Sequence, residues 1–180
     1  MMAALIGDGL CLRPLLPADA PALAEAALES IATVGLWLPW CDAAFTLTDA
    51  EEWVRICAAE RAEGSAHSMG IFDAGDGTYL GGIGINHINR VHDFANLGFW
   101  VRQSRQGQGI APRAVRLMAA YGFGKLALTR LEIVAAEQNA ASRRVAERSG
   151  ARFEGILHNR VVVRGVAMPA AMYALLPDQP

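Results

Sequence analysis

The stretch Ser104–Val115, SRQGQGIAPRAV, sets Gly107 and Gly109 two residues apart in a polar run that opens directly into an apolar helical pattern. Those residue types suit the binding of an anion. A helix N-terminus leaves main-chain N–H groups without intrahelical partners and carries about half a positive charge. Residues without side chains let a bulky anion reach those groups. Pro112 has no N–H to contribute but presets the helical φ. Gln106, Gly107, Gln108, Gly109, Ile110 and Ala111 therefore read as a phosphate cradle, although a glycine turn at any helix start has the same local composition. Two named phosphate loops do not fit. No G-x-x-x-x-G-K-[ST] is present, and a dinucleotide fingerprint needs glycine where Pro112 stands.

The elements that must position this loop follow from the hydrophobic period. LCLRPLL (Leu10–Leu16) reads as a first strand. Asp19 is placed to cap a helix that carries Leu23, Ala26, Ala27 and Ser30 on one face, with Pro21 in its first turn. Thr48 and Glu51 form a T-x-x-E capping box for a second helix reaching about Arg61. HSMGIFDA, TYLGGIGINHI and FANLGFWVR are strand-like and are joined by Asp76-Gly77 and by NRVHD, which makes an antiparallel meander. The helix after the glycine loop spans Pro112–Phe123, with Val115, Met118 and Ala119 on its inner face. A strand over Leu128–Ala136 follows, then a short helix capped by Asn139 and ended by Gly150. Two strands turned at Arg164-Gly165 close the chain. The fold class is α+β, a mixed α/β arrangement with a parallel crossover around Gly107.

The totals bound the function. A chain of 180 residues, 53% apolar and 19% charged with net charge −2, reads as one globular domain, residues 1–180, able to bury roughly 70% of its unfolded surface. Nothing in that charge calls for nucleic acid or an anionic membrane. Cys11, Cys41 and Cys57 are odd in number and lack metal-ligand spacing, so no metal is expected and the thiols read as reduced, in a cytoplasmic setting. No apolar run reaches about 18 residues.

QGQGIA fits Q/R-x-x-G-x-G/A, and with this the chain resembles the GNAT superfamily of acetyl-CoA-dependent N-acetyltransferases. The run EQNAASRRVAERSGARFEG is similar to N-x-x-S-x-R-v-x-E-x-x-G-x-x-x-E-G of the RimJ/RimL-type branch, the ribosomal-protein N-terminal acetyltransferases. LWLPWCDAAFTLTDAEEWV resembles the W-x-P-W segment of that branch. The resemblance runs from about Leu10 to Leu176. It implies a mostly antiparallel twisted sheet splayed at the fourth strand, with helices on both faces, and acetyl-CoA as cosubstrate. The amides of Gln106 through Ala111 would hold its pyrophosphate. The backbone of Phe99, Trp100 and Val101 would pair with pantetheine, and Asn139 and Ser142 would lie beside the pantetheine arm and the sulfur. Arg105, Arg113 and Arg116 are close enough in sequence to assist the phosphates. The implied acceptor is a primary amine, a peptide N-terminus or a small molecule. Dimers through the C-terminal strands are common in the branch.

The chemistry implied is direct attack of a neutral amine on the thioester in a ternary complex, with Ser142 as proton donor to the departing sulfur. A first-turn surface hydroxyl is the plain alternative for Ser142. Many members of the branch read A-E-[IL]-G in the fourth strand, but here ANLG puts Asn96 where the acid would be, and an amide takes no proton. A side-chain base would then be His87, His92, Asp93 or Glu132. His87 has the most suitable ordinary pKa, though a strand-end histidine bonded to backbone fits as well. Trp37 and Trp40 would line an acceptor pocket or pack the helical excursion onto the sheet. Asn96 also leaves open a second reading, a non-enzymatic acyl-CoA-binding or sensing domain.

Overall fold

Alternation of apolar and small or polar residues along the strands builds a sheet with one face fully packed and the other partly open. A computed structural model of the chain describes residues 4–177. The elements are β1 (Leu5–Gly7), β2 (Leu10–Arg13), α1 (Ala20–Glu29), α2 (Leu47–Glu63), β3 (His67–Asp73), β4 (Tyr79–Asn89), β5 (Phe94–Val101), α3 (Ile110–Gly124), β6 (Arg130–Ala136), α4 (Ala140–Arg148), β7 (Arg152–Val163) and β8 (Val166–Leu175). The eight strands form one sheet in the order β1-β2-β3-β4-β5-β6-β8-β7. Every pairing is antiparallel except β5–β6, the crossover around the glycine loop.

On one face α3 lays Ala114, Val115, Met118 and Gly122 against Ile83, Ile85, Leu97, Leu131 and Ile133, all buried. A Cβ on Gly122 would lie 2.9 Å from Ile85 and 3.0 Å from Leu131, so the helix sits close because that residue has no side chain. On the other face α1 and α2 cover β3 and β4 through a second cluster that includes Leu15, Leu23, Ala26, Val54, Phe72 and Tyr79. Leu23, Ala26, Ala27 and Ser30 are all buried, as the periodicity of α1 predicts.

Three local expectations are corrected. β1 precedes the expected first strand, joined to it by Asp8-Gly9, both at positive φ as a tight hairpin turn requires. α2 starts earlier than Thr48: the cap is Thr46, whose hydroxyl accepts from the Asp49 N–H, while the Asp49 carboxylate accepts from the Thr46 N–H at 2.8 Å and its hydroxyl at 2.6 Å. Asp19 stands at the N-cap position of α1 but makes no side-chain cap bond to it. Its carboxylate takes both arms of Arg13, at 2.7 and 2.8 Å, and the Leu16 N–H. The expected turns at Gly77 and Arg164-Gly165 are present, each with positive φ.

The parallel joint is short. β5 and β6 pair only at Phe94–Arg130, Ala95–Leu131 and Asn96–Glu132. Beyond that point β5 stays with β4 to Val101, while β6 stays with β8 to Ala136. The two halves of the sheet part like a wedge. Leu131 is fully buried at the joint. Leu131→Ala is expected to lower the unfolding free energy by about 2–5 kcal/mol, measured by denaturant titration. A loss under about 1 kcal/mol would show that the joint is not packed as described.

Candidate active site

The glycine loop takes the conformation that an anion cradle needs. Gly107 and Gly109 lie at φ +78° and +70°, and a Cβ built on either would meet nothing within 4 Å. Gly109 is the N-cap of α3 and supplies no side-chain cap. Among the described residues none accepts a hydrogen bond from the main-chain N–H of Gly107, Gln108, Gly109, Ile110 or Ala111. These donors surround open space at the positive end of a 15-residue helix. The residues present fit a diphosphate.

The loop is held in place from α1. The Arg102 guanidinium donates to Glu25 at 2.6 Å and to Glu29, whose second oxygen accepts from the Ser104 N–H at 2.6 Å. The Ser30 hydroxyl, fully buried, accepts from the Gln103 N–H at 3.0 Å. Gln106 donates through Nε2 to Thr33 Oγ1 at 3.1 Å and to the Val101 carbonyl at 2.9 Å, which ties the end of β5 to the loop. Arg113 braces the loop through the carbonyls of Gly109 and Asp8 instead of reaching toward the cradle. Arg116 is occupied with Asp8 and the Arg148 carbonyl. Of the three arginines expected near the phosphates, Arg105 alone faces the cleft; Arg144 and Arg148 of α4 join it there.

The cradle opens into a cleft of about 1340 Å³ that fills the wedge between β5 and β6. Phe99, Trp100 and Val101 line one wall and Ile133–Ala136 the other. Past Asn96 the β6-facing edge of β5 has no strand partner among the described residues, so, apart from the Val101 carbonyl that accepts from Gln106, its main-chain groups are open to an extended ligand. Asn139 and Ser142 lie on the same cleft. Asn139 caps α4 by accepting the Ser142 N–H at 3.1 Å through Oδ1, which leaves its amide hydrogens and the Ser142 hydroxyl without a partner among the described residues. Gln108 is not part of the lining; its side chain turns back to the Ser104 carbonyl.

The cleft continues beneath α2. Trp37, Trp40, Phe45 and Trp53 border it, and Trp40 packs on Phe45 and Trp100 with ring centroids 5.6 and 5.4 Å apart. Its floor is bare because Gly82, Gly84 and Gly98 fall on the strand face opposite the buried Ile83, Ile85 and Leu97. Gly81 marks a close approach of backbones, as a Cβ there would lie 2.2 Å from the Trp100 carbonyl oxygen. Asn96 projects onto this floor and donates through Nδ2 to Asn86 Oδ1 at 2.8 Å. Bulges between Leu157 and Val161 let the β7–β8 hairpin bring Val161–Val163 to the cleft, and at its tip Arg164 donates to the Gly35 carbonyl at 2.9 Å.

His87 is not brought to the cleft. Register breaks between Asn86 and Asn89, His87 takes φ +50°, and the exposed residue borders, with Glu60 and Arg90, an adjoining indentation that shares Trp53, Ser68 and Asn86 with the cleft. His92 and Asp93 lie in the β4–β5 turn, and Glu132 is bonded to Arg130 at 2.9 Å. None of the four lines the cleft. Sequence reasoning missed Asn86, Arg144, Arg148 and the Glu29–Arg102 anchor. The alternation of β4 offered a signal for Asn86, since it shares the parity of Gly82 and Gly84.

Comparison with known proteins agrees with this geometry. The family model described as "Acetyltransferase (GNAT) domain" matches residues 9–152. The chain is 29% identical over 181 residues to "Putative ribosomal N-acetyltransferase YdaF" of Bacillus subtilis (strain 168), covering 98% of this chain and 96% of that protein. It is 29% identical over 99 residues to "Ribosomal-protein-serine acetyltransferase" of Escherichia coli (strain K12), 55% of each chain. The solved structure of Mycobacterium smegmatis RimJ in complex with CoA-disulfide superposes with TM-score 0.86 at 26% identity, over 93% of this chain and 81% of that one. Among the described residues no helix is long and apolar enough to cross a membrane, and no three His, Cys, Asp or Glu side chains gather as a metal site.

The anchor of the loop carries a pH signature. Hydrogen bonding from Arg102 holds the Glu29 carboxyl at about 2, below its ordinary 4.5, with Ser104 assisting and partial burial opposing. A depressed carboxyl contributes stability that is complete above its unfolded pKa and is lost as pH falls through the folded one. The wild-type advantage over Glu29→Gln in denaturation midpoint is therefore expected in full above pH about 4.5 and gone near pH 2. Equal midpoints for the two proteins at pH 6 would remove Glu29 as the anchor.

Proposed function

The chain belongs to the GNAT acetyltransferase family, and from that premise we propose that it moves the acetyl group of acetyl-CoA to a primary amine by direct attack in a ternary complex. Two relatives are named for ribosomal acceptors and others for spermidine, and of these we take a ribosomal-protein amine, at the N-terminus, as the acceptor to test first. The observation that carries the reading is continuity: one cleft joins the amide cradle, the unpaired edge of β5 and the aromatic pocket under α2.

In this reading the cradle amides bind the diphosphate, with Arg105, Arg144 and Arg148 adding positive charge around it. The free edge of Phe99, Trp100 and Val101 aligns the pantetheine arm by main-chain hydrogen bonds, and one of its N–H groups polarises the thioester carbonyl. When bound, acetyl-CoA supplies an acetyl thioester whose leaving thiol has an ordinary pKa near 8.5. The Ser142 hydroxyl, held at the start of α4 by the Asn139 cap, donates to the departing sulfur. A donor aimed at a developing charge is worth about 3 kcal/mol, whereas positioning supplies about 7–11 kcal/mol at best. The cradle and strand edge therefore dominate, and acid or base assistance adds about 10²–10⁴-fold.

Purified protein given acetyl-CoA and a serine-initiated peptide is expected to release free thiol and form the N-acetyl peptide by mass. Tight acetyl-CoA binding with no turnover on peptides, amino acids or polyamines would leave only a binding domain. Gly109→Glu is expected to abolish acetyl-CoA binding by calorimetry, because a carboxylate would enter the phosphate space; retained tight binding would refute the cradle. Ser142→Ala is expected to lower kcat about 10-fold or more with acetyl-CoA affinity little changed. An unchanged kcat would return Ser142 to a surface hydroxyl.

A further inference from the structure

Asn96 stands at the apex of the wedge. It is the last residue of β5 with strand partners on both sides, Asn86 on β4 and Glu132 on β6. Its neighbours Ala95 and Leu97 are buried toward α3, so its side chain, with those of Asn86 and Ser68, faces the pocket beneath α2. The Nδ2–Oδ1 bond to Asn86 fixes the amide plane of Asn96 and leaves its Oδ1 as an acceptor over the Gly84–Gly98 floor. There is room above it: the nearest atom to a Cβ on Gly98 would be Asn96 Nδ2 itself, at 3.7 Å.

We propose that the Asn86–Asn96 amide pair is the amine-holding element of the acceptor pocket, and that the acceptor ammonium loses its proton to solvent instead of to a side chain of the protein. This rests on the acetyl-transfer reading above. Asn96 Oδ1 accepts one N–H of the amine, which orients the nitrogen lone pair toward the strand edge where the thioester carbonyl lies. Asn86 acts through Asn96 and is a positioning residue. The balance is simple. The ammonium releases one proton to water; the neutral nitrogen bonds to the carbonyl carbon; the carbon–sulfur bond breaks; the nitrogen's second proton leaves as the sulfur gains one. The products are the amide and free thiol, with one proton released to solvent overall.

The charged groups around the pocket are at its rim or already engaged, apart from Glu60, His87 and Arg90, which border Asn86 from the adjoining indentation, and the phenol of Tyr79 lies in the lining. From α2, the Asp49 carboxylate closes the helix cap and Glu52 pairs with Arg55. From the preceding loop, Asp42 accepts the Ala44 N–H at 2.8 Å. From α1, Glu25 and Glu29 hold Arg102. Arg105, Arg144 and Arg148 face the cradle end. From β6, Glu132 is the carboxylate opposite Asn96, bonded to Arg130, which also holds Glu154. β3 contributes Ser68 and no ionisable group to the lining, and His67 is turned to the other face against Tyr121.

The test follows thiol release with acetyl-CoA and a serine-initiated tetrapeptide amide, whose α-amine has a pKa near 8, between pH 5.5 and 9. Wild-type kcat/KM is expected to rise about tenfold per pH unit and level near the amine pKa, because only the neutral amine reacts. Asn96→Ala should raise the peptide KM about tenfold and Asn86→Ala about threefold, with acetyl-CoA affinity by calorimetry unchanged in both. Asn96→Asp, which installs a base, should level the profile at least one unit lower in pH. A wild-type midpoint below pH 7 that disappears in Glu132→Gln would overturn the proposal and hand the proton to Glu132. Unchanged peptide KM and profile in Asn96→Ala would overturn it equally. No thiol release by wild-type protein that still binds acetyl-CoA would defeat transfer to peptides itself, and this inference with it.

Discussion

The structure depends on where strand pairing stops. Three parallel pairs join β5 to β6, and the last of them is Asn96–Glu132. The free edge of β5 and the glycine loop lie beyond it. Had the pairing continued to Val101, the sheet would be closed and the backbone of Phe99–Val101 would be committed to a neighbour. The interruption exposes main-chain donors and acceptors at a cleft whose walls are largely apolar, among them Phe99, Val101, Ile133 and Ala135. The energetic load of the interruption is carried by α3, which spans the joint and packs on residues of both halves, including Ile83, Leu97, Leu131 and Ile133.

α3 serves twice. Its inner face closes the core, and its N-terminus presents the cradle at the mouth of the wedge. One helix thus sets the distance between the glycine loop and the strand edge, and the loop before it is anchored by several side chains. Glu29, Ser30 and Thr33 at the end of α1 hold Arg102, Gln103, Ser104 and Gln106, while Arg113 clasps the loop from behind through Asp8. Glycines give the loop its shape; these side chains remove the freedom that glycines bring.

Features set by nearby residues were legible in the sequence. The glycine loop before α3, the Asn139 cap, the Arg164-Gly165 turn and the buried stripe of α3 each rest on local chemistry, and each lies where the residues point. Asp8-Gly9 carried a hairpin signal of the same kind that went unread. The start of α2 lies two residues before the Thr48–Glu51 box because the doubly bonded Asp49 closes a box on Thr46 instead. Long-range pairings left no local trace. Arg113 looked like a phosphate ligand because nothing nearby foretells that a carbonyl 105 residues away takes its guanidinium. His87 stood among the base candidates because a bulge, which turns a residue aside without changing its type, does not show in composition.

The Arg164–Gly35 hydrogen bond turns the wedge into a loop of structure. One half of the molecule carries the hairpin and the other carries the segment it touches, so the sheet is joined at the apex by three rungs and again, across the gap, by a single clasp. A bond of this kind is worth about 0.5–1.5 kcal/mol. A contact this small adds little beside the packing of α3 on both halves, so the hairpin tip is placed chiefly by the β7–β8 pairing that carries it.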